Sequence, residues 1–199
     1  MPTVAESILT YSQTLPEGAL ISAKEVLHLG HRAAVDQALK RLEARSELMR
    51  IGRGLYTRPV KTRFGSRAPS AEKIIERVAT TRAETIVPHG AAAANALGLT
   101  TQVPAKLVYL TSGPDRTFKL GAQLLEMKHA PYWMLLPSQP VAGEAVRALA
   151  WVGQKRAFEA LTILKNKLAA STLNELVALR PALPAWMSKS ISQTLMAHA

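Results

Sequence analysis

Basic and amide side chains recur on one face of a segment with helical periodicity, about His31 to Arg45. Its apolar residues follow the i, i+3, i+4, i+7 spacing of a buried helix face. The opposite face carries His31, Arg32, Gln37, Lys40 and Arg41. Arginine can donate two hydrogen bonds to guanine, and glutamine can pair with the edge of adenine. We predict Arg32 and Gln37 as base contacts and Lys40 and Arg41, further along, as phosphate contacts; a merely solvated helix face is the alternative.

A second basic cluster follows this helix. Six basic residues and no acidic residue occur between Arg50 and Arg67. Arg53 stands between two glycines, which allow the tight backbone turn of a hairpin tip. An arginine at such a tip can reach a phosphate or enter a narrow minor groove. The other predicted phosphate contacts of this cluster are Arg50, Arg58, Lys61 and Arg63; a solvated loop with no partner is the alternative.

The elements that would position both clusters follow in a recognisable order. An amphipathic helix is predicted over residues 3–14 and a short strand over 19–21. Ser22 to Glu25 matches a capping box and predicts a short second helix that ends near Gly30. The helix from His31 and a hairpin with its turn at 52–54 complete the set. This order predicts a winged helix-turn-helix over residues 1–60.

The rest of the chain predicts a second, mixed domain. Residues 61–69 are basic and punctuated by glycine and proline, which is typical of a linker. Beyond Ser70, a predicted helix N-cap, helical and strand patterns mix up to about residue 130, and helices fill the tail from about Ala142. The predicted fold class is therefore α+β, predominantly helical: a winged helix-turn-helix at 1–60, and a mixed α/β domain with a helical tail at 70–199.

Composition limits the classes of function. The formal net charge is +11, which favours an anionic partner such as nucleic acid, a membrane surface or an acidic protein. The chain has no cysteine, so it can hold no disulfide or thiolate metal site. No apolar run is long enough to span a membrane, and no secretory signal pattern is present. We expect a cytoplasmic protein without cofactor or metal.

Several segments resemble the AbiEi-type antitoxin family of abortive-infection toxin–antitoxin systems. They are Leu15–Gly18, Ala33–Leu39, Arg50–Tyr56, Val87–Leu99 and Thr111–Arg116, within roughly residues 3–131. The resemblance implies a winged domain that binds repeats in the promoter of its own operon and represses it. It also implies a following domain that counteracts a nucleotidyltransferase-like toxin encoded alongside, whether or not the two proteins bind directly. The helical tail lies outside the resemblance; it could bind a partner, mediate self-association or only pack.

Two other functions remain open at this level. A stand-alone winged-helix regulator, with a C-terminal part that senses a ligand or partner, would share the DNA-binding residues. An enzyme acting on nucleic acid, such as a nuclease, would need clustered carboxylates or histidines. Carboxylates are sparse after Pro88, and His89 and His129 would have to meet in space. We therefore expect a protein without enzymatic activity.

Overall fold

A computed structural model describes residues 2–136 and 140–196 and shows a mixed α/β fold with about 53% helix. The helices are α1 Val4–Thr14, α2 Arg32–Ala44, α3 Ala71–Arg82, α4 Gly90–Ala96, α5 Tyr132–Leu135, α6 Pro140–Val152, α7 Ala157–Lys167, α8 Ala170–Ala178 and α9 Ala185–Ile191. The strands are β1 Ile21–Ser22, β2 Met49–Gly52, β3 Leu55–Thr57, β4 Val60–Thr62, β5 Gly65–Arg67, β6 Ile86–Pro88, β7 Leu107–Thr111, β8 Arg116–Leu120 and β9 Gln123–His129. The predicted mixture of many helices with short strands is confirmed.

The chain forms two compact units. Unit 1 contains residues 1–84 and 116–126, and unit 2 contains residues 85–115 and 127–199. Strand β9 runs through the division between them. Each unit groups the residues that pack together, whereas the predicted domains 1–60 and 70–199 follow sequence motifs. The bounds of the two sets therefore differ.

Unit 1 is built around the packing of α1 on α2. A capping box starts α1: the Thr3 hydroxyl accepts from the Glu6 amide at 3.3 Å, and the Glu6 carboxylate accepts from the Thr3 amide at 2.7 Å. The shared core contains Ile8, Ile21, Val26, Val35, Ala38, Leu39, Leu42, Leu48 and Tyr56. Antiparallel strands in the order β1-β3-β2 join this core, with Ile21 opposite Tyr56 and Met49 opposite Thr57. The two helices and the small sheet thus share one apolar centre.

Two further elements complete unit 1. Ser70 caps α3 by accepting from the Lys73 amide at 3.4 Å, as predicted. Strand β8 is hydrogen-bonded to β9, and Arg116 at its start forms an ion pair with Glu84, just after α3. Both of these side chains are nearly buried, so the pair links the returning chain to the end of α3.

The predicted second helix is wrong as an α-helix. Ser22 pairs with Leu55 as part of β1, turns follow, and only a 3-10 helix forms at Leu27–Leu29. Glu25 does accept from the Ser22 amide at 2.7 Å, but the Glu25 amide donates to the Ser22 backbone oxygen rather than to its hydroxyl. Strand pairing at residue 22 and the turns at residues 23–26 leave only the 3-10 helix before Gly30.

The stretch that the sequence suggested as a linker contains a second hairpin. Strands β4 and β5 pair antiparallel, with Val60 opposite Arg67 and Lys61 opposite Ser66. Thr57 and Val60 are separated only by Arg58 and the buried Pro59, so this hairpin follows directly on β3. Basic and glycine content hid the pairing, because no apolar alternation marks these strands.

Unit 2 is mainly helical. Small residues of α4 pack on α6, and leucines of α6 and α7 form the centre of the core with Met187 and Ile191. Strands β6 and β7 pair antiparallel, and β7 is also a neighbour of β9. The predicted helical tail is confirmed for the described residues beyond Pro140, and α5 is a short helix that the sequence did not predict.

Candidate nucleic-acid interface

Helix α2 presents one apolar and one polar face. Val35, Ala38, Leu39 and Leu42 are buried in the unit 1 core. The residues predicted to contact DNA all lie on the exposed side: His31, Arg32, Gln37, Lys40 and Arg41. His31 precedes the helix and caps it, because its Nδ1 accepts from the Ala34 amide at 3.3 Å. His31 therefore has a structural role at this helix start, which leaves its other ring nitrogen for a partner.

Arg32 is not a free cation. Its Nε donates to the Asp36 carboxylate at 2.8 Å, one helical turn away, and its side chain is 67% exposed. Exposed pairs of this spacing contribute only about 0.3–0.5 kcal/mol. A phosphate or base could therefore displace Asp36 from Arg32 at small cost, and Asp36 itself would oppose the approach of phosphates.

A second row along α2 is basic. Gln37, Arg41 and Arg45, the residue that caps the C-terminus of α2, are spaced four residues apart, so they lie above one another along the helix. They line a groove of about 540 Å³ between α1 and α2, together with the carboxylates of Glu6 and Glu47. Lys40 and Arg41 make no hydrogen bond or ion pair with the described residues, so their charges are available to a partner. Sequence reasoning missed Arg45, which the four-residue spacing from Arg41 could have indicated.

The hairpin of β2 and β3 carries Arg53 at its tip. Gly54 has a positive φ of 66°, a conformation that favours glycine, and the Arg53 side chain is exposed. Arg50 donates to the Gly52 carbonyl at 3.2 Å, which holds its guanidinium beside the turn. Strand β8 lies next to this hairpin, and its exposed Lys119 adds a cation that the sequence did not single out.

The remaining predicted residues lie on or next to the second hairpin. Arg58 is half-buried and donates to the Leu15 carbonyl at 3.4 Å, so part of its role is to tie β3 to the end of α1. Lys61 and Arg63 are exposed. A groove of about 810 Å³ runs between α1, the end of α2 and this hairpin, with Arg45, Arg58 and Lys61 as its cations and Glu17 and Glu47 as its anions.

The structure places all ten predicted residues in unit 1. The two grooves share Leu9, Arg45 and Glu47, so cations of α2 and of the second hairpin line adjoining grooves, which also hold Glu6, Glu17 and Glu47. Unit 1 contains 16 Lys and Arg against 10 Asp and Glu, a net +6, and unit 2 contains 9 against 4, a net +5. Because the two net charges are similar, the arrangement of the cations distinguishes unit 1, not their excess.

Several cations of unit 2 are instead used within the fold. Arg147, Lys167 and Arg180 donate to the carbonyls of Met134, Leu97 and Val177 at 3.2, 3.2 and 2.9 Å. Burial lowers the pKa of Arg147, and Glu144 opposes this shift.

In unit 1, burial raises the pKa of Tyr56 on β3, with Glu43 adding to the rise. Tyr56 is thus the residue through which β3 joins the unit 1 core.

The histidines that the sequence raised as possible catalytic partners are engaged locally. His89 Nδ1 accepts from the Ala91 amide at 3.2 Å and caps α4, and His129 Nδ1 lies 3.0 Å from the Gly113 carbonyl. Across residues 2–136 and 140–196, no three His, Asp or Glu side chains group as metal ligands. No helix in these ranges has the length and apolar character needed to cross a membrane.

The chain was compared with protein-family models, curated proteins and solved structures. Residues 7–173 match the model of DUF6088, described as a family of unknown function. No curated protein and no solved structure matches the chain. The match begins within α1 and covers the rest of unit 1 and most of unit 2, including the candidate interface. The chain therefore belongs to DUF6088, a family of unknown function.

Proposed function

We propose that the chain binds duplex DNA through a winged helix-turn-helix in which α2 is the recognition helix and the hairpin of β2 and β3 is the wing. One observation carries this proposal: the long exposed side chains of α2 are three cations and one amide, and none of them is needed by the core. A hairpin with an arginine at its tip follows α2 in the same unit. The 3-10 turn at Leu27–Leu29 would take the place of the usual first helix of the motif.

The residues divide by the contact they would make. The start of a recognition helix faces the base edges, so Arg32 and Gln37 would contact bases in the major groove. Lys40 and Arg41, which lie further along the helix, would bind phosphates, as would Arg50, Lys61 and Arg63. Arg53 would contact the backbone or the minor groove from the wing. Arg58, already bonded to Leu15, would contribute charge more than a direct contact.

The resemblance of the sequence to AbiEi-type antitoxins supports a more specific proposal. The chain would act in the cytoplasm as an autorepressor that binds inverted repeats in its own promoter, with two copies meeting there. It would also counteract a nucleotidyltransferase-like toxin encoded next to it. A stand-alone regulator whose unit 2 senses a ligand or partner is the second candidate, and it shares the DNA-binding part of the proposal.

A mobility-shift titration tests the DNA-binding function. The duplex upstream of the gene and a random duplex of equal length are compared at two salt concentrations, with the wild-type chain and Arg32→Ala. A preference for the upstream duplex that persists at higher salt supports a sequence-specific regulator. Arg32→Ala is expected to lose about 1–3 kcal/mol on the preferred duplex and little on the random one. Equal, salt-sensitive binding to both duplexes would mean that the chain binds DNA only non-specifically, through its positive charge, and would contradict a sequence-specific regulator.

Co-expression tests the antitoxin function. The adjacent gene is induced alone and together with the chain, and growth is recorded. Rescue by the wild-type chain supports an antitoxin, and a harmless neighbour favours the stand-alone regulator. A cleavage assay distinguishes the antitoxin and the regulator from a nuclease. The preferred duplex is incubated with the chain and Mg²⁺, and turnover of the duplex would contradict a non-enzymatic role.

A further inference from the structure

The second hairpin holds an aromatic side chain away from the protein. Phe64 lies at the turn between β4 and β5 and is 87% exposed, the largest exposed fraction among the large apolar side chains of the described residues. The Arg63 guanidinium lies 4.6 Å from the centroid of its ring. Burying an aromatic ring is normally favourable, so a phenylalanine with this exposure is available to a partner's apolar or planar surface.

The tip is held in a defined conformation. The Thr62 hydroxyl donates to the Gly65 carbonyl at 2.8 Å and accepts from the Phe64 amide at 3.2 Å. Gly65 has a φ of +112°, which a residue with a side chain rarely adopts. One hydroxyl therefore fixes both sides of the turn, and the ring is presented by a short, ordered hairpin.

The hairpin around the ring is basic. Lys61, Arg63 and Arg67 belong to it and are exposed, and no acidic residue lies between Arg50 and Arg67. Lys61 also lines a groove together with Arg45, the residue that follows α2. The hairpin and the end of α2 therefore both supply cations to this groove, which also holds Glu17 and Glu47.

We propose that this hairpin is a second DNA contact, in which Phe64 inserts at a base step of the minor groove while Lys61, Arg63 and Arg67 bind the flanking phosphates. This inference rests on the proposed DNA-binding function and adds a mode of contact to it. An apolar side chain inserted between base pairs partly unstacks them and bends the duplex. The bent duplex wraps closer to the protein, and the additional phosphate interactions offset the cost of unstacking.

An anionic membrane would also attract a phenylalanine among cations. Duplex DNA is favoured because Phe64 is the one exposed large apolar side chain of its hairpin, whereas interfacial membrane binding depends on a broad apolar face. Arg41, Arg45 and Lys61 also line grooves between elements, where a flat membrane surface reaches less readily than a DNA backbone does.

Bending of the duplex is the direct measurement. The full chain is titrated onto the upstream duplex labelled with a dye pair at its two ends, and energy transfer reports the bend while anisotropy reports affinity. The variants are Phe64→Ala and Phe64→Leu, with Phe158→Ala as the matched control, since Phe158 is a similarly exposed phenylalanine of unit 2. Thermal unfolding of each variant confirms that the fold is kept.

We expect the three variants to differ in how far they bend and bind the duplex. Phe64→Ala lowers the energy-transfer change towards that of the free duplex and weakens binding about tenfold, within the range for loss of one base–aromatic contact. Phe64→Leu keeps most of the bend, because leucine also serves as a wedge. Phe158→Ala behaves as the wild type.

Three contrary outcomes are distinct. If the wild type binds and Phe64→Ala bends the duplex equally well, this inference fails and the DNA-binding function stands. If the wild type binds neither the upstream nor the random duplex, the DNA-binding function fails and the inference with it. If Phe64→Ala leaves DNA binding intact but loses sedimentation with phosphatidylglycerol vesicles, the hairpin is a membrane contact and the inference is overturned.

Discussion

Gly90, the first residue of α4, packs directly against the backbone carbonyl of Arg147 on α6. A Cβ at position 90 would overlap that oxygen and would come 2.8 Å from the Trp151 Cβ. We predict that Gly90→Ala destabilises the protein by about 1–3 kcal/mol, because α4 and α6 must separate to admit the methyl group. Differential scanning calorimetry measures the change, about 2–4 °C in Tm for each kcal/mol. Gly52→Ala is the control, since its Cβ meets only ordinary contacts.

An unchanged Tm for Gly90→Ala would mean that the two helices adjust without cost. The close approach would then not be what fixes their spacing.

Removing the arginine at the hairpin tip should weaken binding to all duplexes. Arg53 is exposed and makes no hydrogen bond or ion pair with the described residues, so Arg53→Ala removes a charge without disturbing the fold. Loss of one phosphate contact lowers the slope of log affinity against log salt by about 0.9. Lys155→Ala, which removes an exposed cation of unit 2, controls for net charge. Equal salt slopes for wild type and Arg53→Ala would remove the wing from the proposed interface.

Removing the anion that holds Arg32 should strengthen binding. Asp36→Asn keeps the size of the side chain, breaks the 2.8 Å ion pair and removes a charge that repels phosphates. We expect a tighter complex with the upstream duplex and an almost unchanged free energy of unfolding, because exposed pairs contribute about 0–1 kcal/mol. Fluorescence anisotropy with labelled duplex measures the affinity. A weaker complex would instead indicate that Asp36 orients Arg32 or accepts a hydrogen bond from a cytosine.

Mild acid should destabilise unit 2 through His89. Burial, with Lys128 adding to the effect, lowers the pKa of His89. In the unfolded chain His89 titrates near its ordinary value of about 6.5, so the unfolded state takes up a proton at higher pH than the folded state does. Stability is therefore full above about pH 6.5 and is lost as the pH falls through the folded pKa. Protonation would also remove the Nδ1 acceptor that caps α4.

Urea unfolding at a series of pH values measures this dependence. His89→Asn keeps a side chain that can cap a helix but does not titrate, so its stability should change less between neutral pH and mild acid. The same slope for wild type and His89→Asn would assign the acid sensitivity to other groups.

The sequence predicted the elements whose signals are local. Periodic apolar residues located α1 and α2, Ser70 marked the start of α3, and the glycines around Arg53 marked the first hairpin. The exposed face of α2 followed from the same periodicity, so the positions of Arg32, Gln37, Lys40 and Arg41 on the surface could be predicted.

What depends on pairing with distant residues could not be predicted. Ser22 joins a strand because Leu55 lies opposite it, and this overrides the local capping-box signal. Strands β4 and β5 lack an apolar alternation, so their hairpin and the exposed Phe64 became visible only in the structure. The capping role of His31 and the bond from Arg58 to Leu15 likewise depend on three-dimensional neighbours.

The discontinuity of unit 1 has a consequence for synthesis on the ribosome. Residues 116–126 supply β8, the first part of β9 and the partner of Glu84, so unit 1 cannot finish folding while only its first 84 residues have emerged. While residues 85–115 are translated, Glu84 lacks Arg116 and the first hairpin lacks β8 beside it. A fragment ending at Glu84 would keep every predicted DNA contact yet lack the strand beside the first hairpin, so shortened versions of this protein should extend at least to Glu126.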